Sequence, residues 1–305
     1  MNTPAEKKSP ILLFGANGQV GFECIEQFQN ANLPMIALDR QAVDLTEIEQ
    51  IKGAIERYRP VLVINAAAYT AVDKAEFEPE LAGKVNYLAV AAMAKACHAL
   101  DIPLFHISTD YVFDGTKEGA YLETDPVNPQ SVYGKTKLQG EQALQQILDK
   151  HIILRTSWVF GRHGNNFVKT MLRLGTEREE LGVVVDQRGG PTYAGDIAGT
   201  LLKLALNYLQ ESNLPWGLYH YGGIPACNWY EFAHAIFSKA RELGIPLLVN
   251  KVNAISTSDY PTPAKRPANS VLECAKIAES GFDIEPSSWA ERLNDLLSQL
   301  FAARR

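Results

Sequence analysis

The sequence predicts an α/β protein: a doubly wound parallel sheet of the Rossmann type followed by a smaller C-terminal α/β substrate-binding domain. Three observations carry the prediction. Short apolar runs alternate with helical segments through the first half, a glycine-rich turn separates the first run from the first helix, and after Arg155 the alternation loosens into chain rich in Gly, Pro and aromatic residues. Strands alternating with helices of this length pair in parallel and are covered on both faces. Right-handed crossovers then wind the sheet in both directions.

Taken in order, residues 1–9 form a short lead, and Ile11-Leu12-Leu13-Phe14 is a continuous apolar run of the kind buried on both faces. A helix follows from about Gly18 to Asn30, and a second strand over Met35–Leu38 ends at Asp39. Thr46 with Glu49 three residues on reads as a capping box for a helix reaching Tyr58. Pro60 breaks the chain before a strand over Val61–Asn65. An alanine-rich helix over Leu81–Leu100, a strand over Pro103–Ile107, a helix over Val132–Leu148 and a strand over His151–Leu154 complete the alternation. The dinucleotide-binding domain is placed at 1–160 and the substrate-binding domain at 161–305, with a helix near 194–210 packing back on the first.

Bulk composition narrows the classes. Hydrophobic residues make up 46% of the 305 and charged residues 21%, which is the composition of a folded chain. The net charge of −6 argues against nucleic acid as a partner. No run reaches the ~18 apolar residues of a membrane span, and MNTPAEKKSP has no apolar signal-peptide core, so the expected compartment is the cytoplasm. Cys24, Cys97, Cys227 and Cys274 are far apart and form no CxxC pair, which leaves them as small buried hydrophobes.

The turn Gly15-Ala16-Asn17-Gly18-Gln19-Val20-Gly21 has the strand-turn-helix context of a dinucleotide site. Glycines let the backbone approach a pyrophosphate whose charge meets the helix N-terminal N–H groups. Asp39, 24 residues after Gly15, is placed to bond adenosine ribose hydroxyls. Its carboxylate favours NADH, while the adjacent Arg40 can pair with a 2′-phosphate, so NADPH or NADH fits. The GxxGxxG spacing is similar to that of the extended short-chain dehydrogenases/reductases.

Tyr133 and Lys137 stand at i and i+4 near the start of a helix, on one face of it. A phenol with a pKa near ~10 is a sluggish proton shuttle at neutral pH, and a neighbouring ammonium is expected to lower it. The pair then acts as a general acid on a carbonyl that receives hydride. Thr109 sits at the carboxyl end of the fourth strand, where its hydroxyl can orient that carbonyl. In Asn65-Ala66-Ala67-Ala68-Tyr69, small residues leave room for a cofactor along the strand ends.

The segments ILLFGANGQVG, VINAAAYTAVDKAE, HISTDYVFDG, VYGKTKLQGE, RTSWVFG, GNNFVKTMLRL, DQRGGPTYA and YPTPAKRPANS follow one another as in the dTDP-4-dehydrorhamnose reductases, which the chain resembles from about Ile11 to Trp289. The resemblance implies reduction of the 4-keto group of a dTDP-6-deoxyhexulose, with Tyr133 as proton donor, Lys137 its partner and Thr109 the substrate-orienting hydroxyl. It places Gly18, Gln19 and Val20 at the cofactor phosphates and Asp39, Asp44, Leu45, Ala68, Tyr69 and Thr70 along the rest of the cofactor, beside Gly15, Asn17, Gly21, Arg40 and Ala67, which the turn and the strand ends already put there. Asp110 and Trp158 are implied at the sugar, and a homodimer is compatible with it. Arg266, in a proline-rigidified loop, suits the nucleotide's diphosphate, and Asn166 suits either the nucleotide or the cap of the next helix. Some members hold magnesium between glutamates at a dimer interface. Glu23 matches one such position but Gly195 stands where a glutamate belongs, so no metal is expected.

Two other functions fit the fold: a non-catalytic regulatory subunit of the methionine adenosyltransferase type, and an epimerase or dehydratase. Intact Thr109, Tyr133 and Lys137 argue against the first. Tyr111 after Asp110, in place of the glutamate usual in dehydratases, argues against the second.

Overall fold

In the computed structural model, which describes residues 9–302, the first half of the chain alternates as the sequence predicts. It runs β1 (Ile11–Phe14), α1 (Gln19–Asn30), β2 (Met35–Leu38), α2 (Ile48–Tyr58), β3 (Leu62–Asn65), α3 (Val72–Ala75), α4 (Pro79–Gly83), α5 (Ala89–Leu100), β4 (Leu104–Thr109), α6 (Val132–Ile147) and β5 (His151–Thr156). Apart from Ser9, the lead expected over residues 1–9 lies outside the described residues.

The second half is built of shorter pieces: β6 (Val159–Phe160), α7 (Phe167–Glu177), β7 (Glu180–Val184), β8 (Arg188–Gly189), β9 (Thr192–Tyr193) and α8 (Ala194–Glu211). It ends with β10 (Gly217–His220), β11 (Cys227–Asn228), α9 (Trp229–Glu242), β12 (Lys251–Ile255), α10 (Ala275–Ala278) and α11 (Trp289–Ala302).

Six parallel strands form the main sheet in the order β2-β1-β3-β4-β5-β10. The chain leaves β1 toward β2 on one side and β3 on the other, so a crevice opens at the carboxyl ends where the winding reverses. Alternate side chains of β1 explain the two covering layers. Ile11 and Leu13 pack with Val20, Cys24 and Phe28 of α1 and with Ile197, Leu201 and Leu204 of α8. Leu12 and Phe14 pack with Ile51 and Ile55 of α2 and with Val90 and Met93 of α5. A third core, around Val168, Leu181, Phe232, Phe237 and Leu296, belongs to the second half.

Three expectations are corrected. The capping box at Thr46 and Glu49 does not form: α2 begins at Ile48 behind an N-cap Glu47 without a side-chain bond, because the Thr46 hydroxyl donates to Asp44 at 2.9 Å. The single helix over 81–100 is α4, a π-helical turn at Lys84–Leu88, and α5. Within that turn the buried Asn86 accepts from the Tyr69 N–H at 2.8 Å and donates to Thr136 Oγ1 at 3.2 Å, so a polar residue in an apolar helix is satisfied by tertiary partners. The strands expected to end at Ile107 and Leu154 run on to Thr109 and Thr156.

After residue 160 the chain returns twice to the first layers. Helix α8 lies on α1, with Gln27 donating to the Gly195 carbonyl at 2.7 Å. Strand β10 extends the sheet beside β5, an element that Tyr219-His220-Tyr221-Gly222-Gly223 did not disclose.

Candidate active site

The glycine-rich turn after β1 is a cradle by geometry. Gly15 has φ +93°, and a Cβ there would lie 2.7 Å from the Ala67 nitrogen. A Cβ on Gly21 would lie 2.0 Å from the Gly15 carbonyl oxygen, so α1 can start this close to the turn only with glycine. Gly18 caps α1 without any side-chain bond, and the first turn holds no acidic residue. The positive end of the helix dipole and its first N–H groups are thus left for an anion. Helix α6 differs: the Ser131 hydroxyl accepts from the Gly134 N–H at 3.1 Å.

A cavity of about 750 Å³ opens at the carboxyl ends of β1, β3, β4 and β5. Its wall includes Gly15, Asn17, Gly18, Gln19, Val20, Asp39, Arg40, Asp44, Leu45, Ala67, Ala68, Tyr69, Thr70, Thr109, Asp110, Tyr133, Lys137 and Trp158. Gly21, Asn166 and Arg266 are not on the wall. Two buried oxygens in wall residues, Asp110 Oδ2 and Thr156 Oγ1, have no hydrogen-bond partner among the described residues, as expected of groups that meet a ligand. The volume, the uncapped helix start and these oxygens fit a dinucleotide with a polar substrate beside it.

At the end of the cavity beside β2, Asp39 Oδ1 accepts from the Gln41 and Ala42 N–H groups at 3.0 and 2.9 Å, and Oδ2 accepts from Asn17 at 3.0 Å. The bond from Ala42, more than any other contact, holds the carboxyl below its usual range. The neighbouring Arg40 supplies positive charge on the same wall.

The reacting end differs from expectation in one respect. Tyr133 is pushed up to about 12, chiefly by burial, with the Thr109 hydrogen bond acting in the opposite direction. The ammonium was expected to lower the phenol, but Lys137 Nζ donates to the Ile107 carbonyl at 2.7 Å and faces His106 Nε2 at 3.2 Å. Burial brings Lys137 down to about 8. Tyr133 is therefore protonated at neutral pH, and Lys137 is the group whose charge changes nearby. Thr109 Oγ1 donates to Asp110 Oδ1 at 3.0 Å, and burial raises Asp110 to about 6.

The residues expected at the sugar and diphosphate are held by internal contacts. Trp158 takes a left-handed φ of +47° and stacks on Trp229 with ring centroids 3.5 Å apart. Asn166 caps α7, accepting from the Lys169 N–H at 3.1 Å, and donates to Gln19 at 2.9 Å. Arg266 forms a fork on Asp73, at 3.0 and 2.8 Å.

Sequence reasoning missed Tyr111, whose ring meets Tyr133 edge-on at 5.4 Å, and Thr156 on the cavity wall. It also missed the buried pair Asn65 and His106 behind Lys137. A polar Asn and His inside otherwise apolar strands were the available signal. Glu23 is buried and raised by desolvation, with Arg162 at 3.8 Å. Among the described residues no group of three or more His, Cys, Asp or Glu could hold a metal ion. All four cysteines are buried and free.

The comparisons with known proteins agree along the whole chain. The family model described as the RmlD substrate binding domain matches residues 9–302. The dTDP-4-dehydrorhamnose reductase of Aggregatibacter actinomycetemcomitans is 47% identical over 94% of this chain and 97% of its own. The crystal structure of the Clostridium acetobutylicum dTDP-4-dehydrorhamnose reductase superposes with a TM-score of 0.87 at 40% identity, covering 96% of this chain and 99% of that one. That of the Bacillus anthracis dTDP-4-dehydrorhamnose reductase in complex with NADP gives 0.88 at 37% identity, with the same coverage. The chain belongs to the RmlD family, that of the dTDP-4-dehydrorhamnose reductases.

Proposed function

We propose that this protein reduces the 4-keto group of dTDP-4-dehydro-L-rhamnose (dTDP-6-deoxy-L-lyxo-4-hexulose) to dTDP-L-rhamnose, using NADPH or NADH. The observation that carries the proposal is the presence of Thr109, Tyr133 and Lys137 on one cavity wall with the uncapped start of α1. The family relationship supplies the substrate. When bound, the reduced nicotinamide supplies hydride to the C4 carbonyl carbon.

The chain's own residues do the rest. Gly15, Gly18, Gln19 and Val20 hold the pyrophosphate at the helix start, and Asp39 and Arg40 take the adenosine ribose. Thr109 orients the carbonyl, and Tyr133, protonated at neutral pH, gives its proton to the C4 oxygen as negative charge grows there. Lys137 supports the ribose and the phenol's return to its protonated form. Asp110 and Trp158 bound the sugar, while Asn166 and Arg266 serve the nucleotide side after release from their present partners. Residues 1–160, completed by α8 and β10, act as the dinucleotide-binding domain, and the rest of 161–305 as the substrate-binding domain.

A homodimer, measurable by sedimentation, and residence in the cytoplasm complete the reading. No helix among the described residues is long and apolar enough to cross a membrane. The decisive experiment follows absorbance at 340 nm with the 4-keto sugar nucleotide generated in place. Oxidation of NADPH or NADH dependent on the substrate is expected, and its absence with both would reject the proposal.

A further inference from the structure

The buried ring of His106 faces a hydrogen-bond donor at each nitrogen. Asn65 Nδ2 lies 3.0 Å from Nδ1, and Lys137 Nζ lies 3.2 Å from Nε2. A neutral imidazole has one acceptor and one donor, so it cannot accept from both. The orientation of Asn65 decides between them. Its Oδ1 accepts from the Ala67 backbone N–H at 3.0 Å, and a backbone N–H is always the donor. The amide NH₂ therefore points at His106, making Nδ1 the acceptor and leaving the proton on Nε2.

That N–H is aimed at Lys137 Nζ. An ammonium has no lone pair to receive it, whereas an uncharged amine has. Lys137 can still donate to the Ile107 carbonyl at 2.7 Å in either form. We propose that Asn65 and His106 form a tautomer lock behind the cavity: Asn65 holds His106 as Nε2–H, and His106 positions the Lys137 amine and biases it toward its uncharged form. His106 and Asn65 are not on the cavity wall and act only through Lys137, so both are positioning residues.

The other charged groups near Lys137 do not supply this bias. Glu141, one turn along α6, favours the ammonium, and it is itself bound by Arg155 of β5 at 2.6 Å and by the Ser108 hydroxyl. Tyr133, one turn back, is neutral at working pH. Burial brings Lys137 down to about 8 against the pull of Glu141, and the His106 N–H aimed at Nζ works against the charge in the same direction. An amine that gains and loses its proton close to neutral pH can help restore the proton that Tyr133 gives up in each turnover. This use rests on the catalytic assignment of Lys137 above; the lock does not.

Asn65→Asp tests the lock. The introduced carboxylate keeps one oxygen for the Ala67 N–H but turns its second oxygen on Nδ1, which would move the His106 proton to Nδ1 and make Nε2 an acceptor for the ammonium. Two-bond ¹H–¹⁵N correlation spectra should show His106 as Nε2–H in the wild type and Nδ1–H in Asn65→Asp. The NMR titration of Lys137, and with it the basic limb of the kcat profile, should rise by about one pH unit in the variant. His106 found as Nδ1–H in the wild type, or a Lys137 titration that does not move, would overturn the proposal. A Lys137 titration that moves while the kcat profile stays put upholds the lock and rejects the catalytic assignment alone. If Asn65→Asp does not fold, the wild-type tautomer decides.

Discussion

The two sides of the cavity are prepared to different degrees. On the sheet side the glycine turn, Asp39, Thr109, Tyr133 and Lys137 already line the space they are proposed to serve, fixed by parallel strands and the starts of α1 and α6. Toward the second half, Trp158 on the wall lies on Trp229, while Arg266, forked onto Asp73, and Asn166, capping α7, stand off the wall. On the proposed assignment, cofactor binding and proton transfer need little rearrangement, while a sugar nucleotide reaching Arg266 and Asn166 competes with existing contacts. The difference follows from what holds each side. Strand ends in a buried sheet are rigid, whereas loops with two-residue strands rely on side-chain bonds that a ligand can replace.

The largest effect belongs to the pair that joins the sheet side together. Glu141 and Arg155 are both buried and bonded at 2.6 Å, linking α6 to β5. Glu141→Ala leaves the Arg155 charge without its partner and should cost about 3–5 kcal/mol in urea unfolding. A loss under about 1 kcal/mol would show that the sheet side is not held by this pair.

Lys137→Met should act in the opposite direction on stability while abolishing useful turnover. The folded pKa of about 8 lies below the ordinary ~10.4 of a lysine, so the unfolded chain binds the extra proton between these values. Wild-type stability contributed by this group therefore rises as pH climbs from 8 toward ~10.4, and is lowest below 8. At pH 7 the variant should gain about 1–3 kcal/mol, read by thermal or urea unfolding. Equal or lower stability would mean that Lys137 is not strained by its burial.

On the other side, Arg266→Ala should raise KM for the sugar nucleotide by roughly tenfold or more, the weight of a charge-assisted bond. Its kcat should change little and NADPH binding not at all. An unchanged KM would leave Arg266 as a structural partner of Asp73. Trp158→Phe keeps a flat apolar surface and should cost only a few-fold in kcat/KM, about 1 kcal/mol or less.

The same asymmetry decided what could be read from the sequence. The main sheet was legible because Ile11–Phe14, Met35–Leu38 and Leu62–Asn65 form short apolar runs between helices, and the glycine turn and the i, i+4 pair of Tyr133 and Lys137 carry local geometry. Strand β10 was not legible, since Gly217–His220 is short and finds its place only by pairing with β5. The state of Tyr133 was misread because spacing predicts which residues share a helix face but not that Lys137 Nζ turns to Ile107 and His106. Arg266 was singled out by its proline-rigidified loop, and its partner Asp73 lies 193 residues away in sequence. Contacts of that range have no local signature.

The most direct test of the account is Tyr133→Phe, with hydride transfer followed at 340 nm and NADPH binding titrated on the same preparation. The account predicts that kcat falls at least roughly a hundredfold, that KM for the sugar nucleotide stays close to wild type, and that NADPH affinity is kept. A variant that reduces the 4-keto sugar at the wild-type rate would contradict it.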